Sequence, residues 1–204
     1  MDTAFAIQGN DYILLATDRA VMRSIMKLQD SDDKTIRLNE KQMIATCGEV
    51  RDRKIFAKYV QCNLDYYYYL NGNRLNTSEL ASYTRHLLAK GIRSHPYQCN
   101  CLIAGYDDDE GPKLFWLDYL GSCQQVVKAA QGYGGYFLYG LMDNVYKKDF
   151  SFDDGVQCIQ NCIKELKTRF LVNMVEYHVY KISKSGIEDV SRMFKMGDKM
   201  EIDG

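Results

Sequence analysis

The apolar positions near the start of the chain fall into short runs separated by turn residues, a pattern typical of strands. Thr3–Gln8 and Tyr12–Thr17 are divided by a Gly-Asn-Asp stretch that favours a tight turn. Lys34–Leu38 and Gln42–Cys47 form a second pair of the same kind. Tyr12–Thr17 is apolar on both faces, so it is predicted to be a strand covered by other elements on both sides.

Helical spacing replaces the strand pattern after the first fifty residues. Helices are predicted over four stretches, 49–70, 77–93, 136–145 and 152–170. In the first, the apolar residues Ile55, Tyr59, Cys62 and Tyr66 fall on one face. Consecutive tyrosines, 66–69, end this helix. Because they cannot all point inward, some of their ring surface is expected to be exposed or to meet a partner.

The second and fourth helices begin with capping pairs, Asn76 with Glu79 and Ser151 with Asp154. Each also carries an apolar stripe at helical spacing, which is predicted to face the core. The stripes are Leu80, Tyr83 and Leu87 in the second helix, and Val156, Ile159, Ile163, Leu166 and Phe170 in the fourth.

Strands return at Cys99–Tyr106 and Lys113–Asp118, and again at Glu176–Ile182 and Gly186–Val190. The acidic stretch 107–112 lacks the Gly and Glu positions of a calcium-binding loop and is predicted to be a solvated hairpin tip. Because helices come in pairs between groups of strands, the order disfavours a doubly wound parallel sheet. It predicts an α+β fold, with two mainly antiparallel sheets stacked face to face between two helical layers.

The composition is that of an ordinary globular protein. The chain has 204 residues, 46% hydrophobic and 26% charged, with a formal net charge of −1. The chain therefore has no net positive charge that would favour binding to nucleic acid or to an acidic membrane. A basic cluster, Arg51–Lys54, is predicted to be a solvated or interface face of a helix. Residues 1–194 are predicted to form one domain, and 195–204 a polar tail.

The seven cysteines predict buried, unreactive thiols rather than disulfides or a metal site. Their odd number argues for a reducing compartment. Cys99 and Cys101 share a strand face and Cys158 and Cys162 a helix face, but none of the three histidines stands at ligand spacing to either pair. The glycine-rich stretch 132–136 matches neither common phosphate-binding pattern and is predicted to be a tight turn.

Three segments together carry a family resemblance: YILLATDRA at 12–20, KTIRLNEKQMIATCGE at 34–49 and GYGGYFLYGLMDNVY at 132–146. They resemble the β subunits of the 20S proteasome, members of the N-terminal nucleophile hydrolase superfamily. The resemblance covers about residues 1–194. It implies the four-layer αββα sandwich of that superfamily and a place in intracellular protein degradation.

The resemblance also implies partners and a location. The chain would sit in one of two inner seven-membered β rings, with neighbouring β subunits at the third and fifth ring positions. The outer α ring and the opposite β ring would supply further contacts. The cytoplasm and nucleus are the implied location, and no cofactor, nucleic acid or membrane is expected.

The catalytic pattern of active β subunits is incompletely present. In those subunits a terminal Thr is the nucleophile, its own amine the base, a Lys tunes the site, a carboxylate holds that Lys, and a backbone N–H stabilises the oxyanion. A comparison without gaps through Ala20 puts Met1 at the nucleophile and Thr17 at the carboxylate, whereas the Lys is present as Lys34 and the oxyanion glycine as Gly48. A one-residue shift to Asp18 would turn the inner face of that strand outward.

Two supporting groups of the family are also replaced. Tyr133 stands at the position of a Ser, and Phe170, after Arg169, at the position of an Asp. No catalytic residue is therefore expected, and the implied role is that of a structural, individually inactive subunit. Lys34 is expected to be structural or solvated, and Gly48 to be retained for its backbone conformation.

Two other functions stay open at this point. One is an active threonine-type hydrolase that uses Thr3 after removal of Met1 and Asp2. That Thr would lie about 6–7 Å along the strand from the family position, which catalysis does not tolerate. The other is a stand-alone α+β binding domain.

Overall fold

The computed structural model describes residues 2–24, 26–147, 149–170 and 176–194. The strands are β1 (Thr3–Gln8), β2 (Tyr12–Asp18), β3 (Val21–Arg23), β4 (Met26–Gln29), β5 (Thr35–Arg37), β6 (Gln42–Gly48), β7 (Cys99–Asp107), β8 (Gly111–Leu117), β9 (Cys123–Val126), β10 (Lys128–Gly132), β11 (Tyr177–Ser183) and β12 (Gly186–Asp189). The helices are α1 (Val50–Asn71), α2 (Thr77–Gly91), α3 (Gly135–Val145) and α4 (Phe152–Arg169), and a 3₁₀-helix spans Ser191–Phe194.

Within the described residues, the strands form two five-stranded sheets and one separate hairpin. The first sheet has the order β10-β1-β2-β11-β12 and the second the order β5-β6-β7-β8-β9, and all their pairs are antiparallel. One apolar core lies between the two sheets. A second core lies between the first sheet and α3 and α4, and a third between the second sheet and α1 and α2. The predicted four-layer αββα sandwich is thus confirmed.

β2 lies at the centre of the first sheet, and both of its faces are covered, as its sequence predicted. All seven of its residues are buried because β1 and β11 flank it and packed layers cover both faces. Ile13 and Leu15 face the other sheet, whereas Tyr12 and Leu14 face the α3–α4 layer. The register pairs Ala4 with Thr17 and fixes where β1 begins relative to the end of β2.

The helix starts follow the predicted capping chemistry. Asn76 and Glu79 form a complete capping box at α2, and Ser151 and Asp154 form one at α4. In each, the cap side chain accepts an N–H of the first turn, and an acidic residue accepts the N–H of the cap. The predicted stripes are only partly buried, because Tyr83, Leu87, Val156 and Phe170 lie at the edges of their cores. The fully covered members are Leu80, Ile159, Ile163 and Leu166.

The apolar face predicted for α1 is not the face that the chain buries. The helix packs on the second sheet through Phe56, Ala57 and Val60. The four residues picked out by the sequence pattern, Ile55, Tyr59, Cys62 and Tyr66, are all exposed. The physical reason is that α1 carries two apolar stripes, and the spacing alone does not tell which one meets the sheet.

Several elements were not predicted from the sequence. The β3–β4 hairpin and strands β9 and β10 are too short or too polar to give a clear alternating pattern. Five of the seven cysteines are buried as expected, but Cys62 is exposed and Cys123 half-buried. Burial raises the pKa of the Cys47 thiol well above its usual range. The predicted tail, 195–204, lies outside the described residues.

Within the described residues, no helix combines the length and the apolar character that crossing a membrane requires.

Candidate functional site

Lys34 lies at the centre of a buried group of charged side chains. It directly precedes β5, and its side chain is wholly excluded from solvent. The Nζ atom donates to an oxygen of Asp18 at 2.5 Å and to the backbone carbonyl of Ala20 at 2.8 Å, and it lies 2.8 Å from Asp2 Oδ1. Lys34 is therefore structural, and the solvated alternative is excluded.

The carboxylate that holds Lys34 is Asp18, so its assignment to Thr17 was wrong. Asp18 also accepts the N–H of Thr3 at 2.6 Å and that of Ala20 at 3.0 Å. Burial raises the pKa of Asp18, while the Lys34 ammonium and the Thr3 N–H act in the opposite direction. The β1–β2 register is undisturbed, because the gapless comparison simply began one residue too early.

With Asp18 as the carboxylate, the family's nucleophile position falls on Asp2 rather than Met1. Met1 itself lies outside the described residues. Asp2 is buried, and its Oδ2 accepts the N–H of Gly48 at 3.1 Å. The same carboxylate meets Lys34 through its other oxygen. The carboxylate of Asp2 thus binds both the Lys34 ammonium and the Gly48 N–H. In an active subunit that N–H would have to be free to stabilise the oxyanion.

The charged group extends into the first turn of α1. Arg53, which is 1% exposed, places Nε 3.3 Å from Asp2 Oδ2 and pairs with Asp32 through its other end. Lys54 Nζ lies 2.8 Å from the second oxygen of Asp32. Burial would raise the pKa of Asp32, but the hydrogen bonds and charges of Lys54 and Arg53 outweigh burial and hold it below its usual range.

This group, called the charge cluster, consists of the buried residues Asp2, Asp18, Asp32, Lys34 and Arg53 and of Lys54, whose side chain is exposed. Its three carboxylates balance its three cations. It corrects one expectation, since Arg53 is not part of a solvated or interface face. Asp32, in the loop between β4 and β5, is buried as well. Sequence spacing gave no signal for the Asp2–Arg53 and Asp32–Arg53 pairs, because their members lie in separate parts of the chain.

Two glycines let the backbone close around Asp2. Gly48 has a φ of +142°, and a Cβ there would lie 2.1 Å from the Gln98 carbonyl oxygen. Gly132 has a φ of +77°, and its Cβ would lie 1.9 Å from the carbonyl oxygen of Asp2. The backbone reason expected for Gly48 is thus confirmed. No other residue fits either position without movement of the main chain.

Thr3 faces away from the charge cluster. Its side chain points toward the α3–α4 layer, where it would contact any Cβ placed on Gly134. Alternate residues of a strand point to opposite faces, so Asp2 and Thr3 cannot share a site. Among the described residues, the Thr3 hydroxyl has no hydrogen-bond partner, and no base lies beside it. The geometry therefore opposes Thr3 as a nucleophile.

The remaining positions matched to the family pattern carry no catalytic chemistry. Thr17 is buried in β2, and its hydroxyl has no partner within the described part of the chain. Tyr133 is exposed. Phe170 caps the end of α4 and packs edge-on against Phe137, with ring centroids 6.0 Å apart.

Comparison with known proteins identifies the family of this chain. Residues 1–182 match the family described as "Proteasome subunit". The chain belongs to the proteasome subunit family. A "Probable proteasome subunit beta type-4" of Meyerozyma guilliermondii is 41% identical over 92% of this chain and 98% of its own length.

Relatives from other lineages carry proteasome β names as well. "Proteasome subunit beta type-2-A" of Arabidopsis thaliana is 35% identical over 93% of each chain. "Proteasome subunit beta type-2" of Dictyostelium discoideum is 38% identical over 92% of this chain and 96% of its own. The proteasome β-subunit resemblance indicated by the sequence is confirmed, and these relatives carry beta type-2 and beta type-4 names.

Proposed function

We propose that this chain is a non-catalytic β subunit of the 20S proteasome core particle. The observation that carries the proposal is the position of the Asp2 carboxylate, which fills the space between Lys34 and the N–H of Gly48. Active subunits need a free hydroxyl and a backbone N–H that can donate to the oxyanion. At the same place this chain has the Asp2–Lys34 ion pair, and the Gly48 N–H already donates to Asp2.

The proposed role is to complete the inner β ring and to close the wall of the proteolytic chamber, and its contacts would help to shape a neighbour's substrate pocket. The ring position proposed is the fourth, between the β subunits at the third and fifth positions. Subunits of the outer α ring and of the opposite β ring are the other proposed partners. The proposed location is the cytoplasm and the nucleus, where the particle would degrade intracellular proteins.

The rival function is a hydrolase that uses Thr3 once Met1 and Asp2 are removed. Removal of Asp2 would free Gly48 and Lys34, and it would leave the Thr3 nitrogen beside Asp18. The Thr3 hydroxyl would still point toward Gly134, on the opposite face of the sheet. The geometry therefore favours the structural role.

Thr3→Val separates these functions. Valine matches threonine in shape and removes a hydroxyl that has no partner among the described residues, so stability is expected to change by less than about 1 kcal/mol. Particles carrying this variant should assemble fully and retain every peptidase activity. Loss of one activity in fully assembled particles would instead support catalysis by Thr3.

The stand-alone alternative is tested by native mass. The chain, expressed from its own promoter and then purified, should appear in a large complex at fixed stoichiometry with other proteasome subunits. A monomer of 23.6 kDa would contradict the ring assignment.

A further inference from the structure

A pocket opens where the edge of the first sheet meets the second sheet. It has a volume of about 420 Å³, which lies in the range of small-molecule sites. The edge strand β10 and the start of α3 form one wall, and Asn100 of β7 and Trp116 of β8 form the other. No member of the charge cluster lines this pocket, so it lies outside the candidate functional site.

Aromatic side chains line much of the pocket. Trp116 is half-buried and packs against the core between the two sheets. Tyr133 lies in the loop before α3, and Tyr136 and Tyr139 lie on α3 itself. Tyr136 is 85% exposed, so its ring contributes little to the packing of the free chain. Flat aromatic faces favour a flat ligand that stacks against them.

Two amide side chains from opposite sheets line the pocket and keep hydrogen-bonding capacity. Gln131, which is 5% exposed, donates through Nε2 to the Leu117 carbonyl at 2.9 Å, and within the described residues its Oε1 accepts no hydrogen bond. Asn100 accepts the Tyr119 N–H at 2.9 Å through Oδ1, and in the same part of the chain its Nδ2 has no acceptor. One acceptor and one donor are therefore left for a ligand.

The charge of the lining determines which ligands fit. Among the described residues, no charged side chain lines the pocket. A charged ligand would lose its hydration there without gaining an ionic partner. A carboxylate also offers no donor to Gln131, and an ammonium offers no acceptor to Asn100. An uncharged amide or lactam offers both groups side by side.

We propose that this pocket, called the aromatic pocket, binds a flat, uncharged molecule that carries an amide or lactam edge. The N–H of that edge donates to Gln131 Oε1, and its carbonyl accepts from Asn100 Nδ2. The rings of the ligand lie against Trp116 and Tyr136. The inference does not rest on the proposed function, because every lining residue belongs to this chain.

Quinazolin-4-one is a suitable probe, because it is a flat bicycle with an N–H and a carbonyl side by side. Quinoline matches its two rings but lacks both groups, and quinoline-4-carboxylate adds a negative charge. Binding to the full-length chain is followed by the fluorescence of Trp116, the one tryptophan in the sequence, with correction for absorption by the probe. Quinazolin-4-one should bind at least about tenfold more tightly than either control, because it alone satisfies both amides.

Asn100→Asp and Tyr136→Ala test the two walls of the aromatic pocket separately. The aspartate keeps an oxygen for the Tyr119 N–H but replaces the donor with an acceptor, so affinity for quinazolin-4-one should fall at least about tenfold. Tyr136→Ala removes an exposed ring, so the chain should unfold at the same urea concentration while affinity falls about fivefold. Asn10→Asp makes the same amide-to-carboxylate change on the exposed β1–β2 turn and should leave affinity unchanged.

The same probe is then applied to particles that contain the chain. Saturation-transfer NMR of quinazolin-4-one compares natural particles with particles that carry Asn100→Asp. A signal that the substitution removes is the expected result. If the free chain binds the probe but the substitution changes nothing in particles, a side chain of a neighbouring subunit fills the aromatic pocket, and the proposal is wrong.

The remaining outcomes also decide the matter. The proposal would be overturned by no detectable binding of quinazolin-4-one, by equal affinity for the three probes, or by tighter binding of the carboxylate. Unchanged affinity in Asn100→Asp or in Tyr136→Ala would overturn it as well. Absence of the chain from particles would overturn the proposed function alone, and binding to the free chain would then decide whether the aromatic pocket is a ligand site.

Discussion

Lys34→Met is expected to lower the free energy of unfolding of the full-length chain by about 3–5 kcal/mol. Methionine keeps most of the length of the lysine stem but removes the charge. The Asp18 carboxylate would then be buried with only backbone N–H groups beside it, and Asp2 would keep only Arg53 and the Gly48 N–H. An uncompensated charge in a water-excluded site is costly, and the loss should appear as a lower midpoint of urea unfolding.

A surface ion pair supplies the matched control. Lys41 pairs with Asp108 at 2.5 Å at the edge of the second sheet, where Asp108 is largely exposed. Lys41→Met should change stability by no more than about 0.5 kcal/mol. Adding Asp18→Asn to Lys34→Met should recover part of the loss, because it removes one of the two stranded carboxylates. Equal effects of Lys34→Met and Lys41→Met would contradict the stabilising role of the charge cluster.

Gly48→Ala is expected to cost at least about 3 kcal/mol, because two penalties add at this position. The φ of +142° is strained for any residue with a Cβ, and the new Cβ would lie 2.1 Å from the Gln98 carbonyl oxygen. The Gln98 oxygen accepts the N–H of Glu49, so movement to relieve the clash would disturb the start of α1. It would also pull the Gly48 N–H away from Asp2.

The same substitution elsewhere should have the opposite sign. Gly140 lies within α3, and a Cβ there would meet no heavy atom within 4 Å. Gly140→Ala should therefore stabilise the free chain by about 0.5–1 kcal/mol through better helix propensity. If Gly48→Ala and Gly140→Ala unfold at the same urea concentration, the backbone at Gly48 is not constrained as the structure shows.

The layered fold could be predicted because its periodic signals are local. The turn residues between β1 and β2, the capping boxes of α2 and α4, and the pairing of helices between strands all act over a few residues. The inward face of α1 could not be predicted, because Phe56 and Val60 have the same helical spacing as Ile55 and Tyr59. Only contact with the second sheet decides between the two stripes.

The charge cluster was beyond sequence reasoning for a different reason. Burial of Arg53 and Asp32 depends on how α1 and the loop before β5 meet in space, and acidic loops and basic helix starts are usually solvated. One signal could have found Asp2. Choosing Asp18 as the partner of Lys34 moves the whole family comparison by one residue and places Asp2, with its carboxylate, at the nucleophile position.

The most direct test of the central claim uses an electrophile that reacts with terminal threonine nucleophiles. Particles containing this chain are treated with a peptide carrying such an electrophile, and the intact mass of each subunit is measured. The catalytic subunits should gain the mass of the probe, and this chain should keep its own mass with Asp2 still present. A probe adduct on Thr3 of this chain would contradict the account.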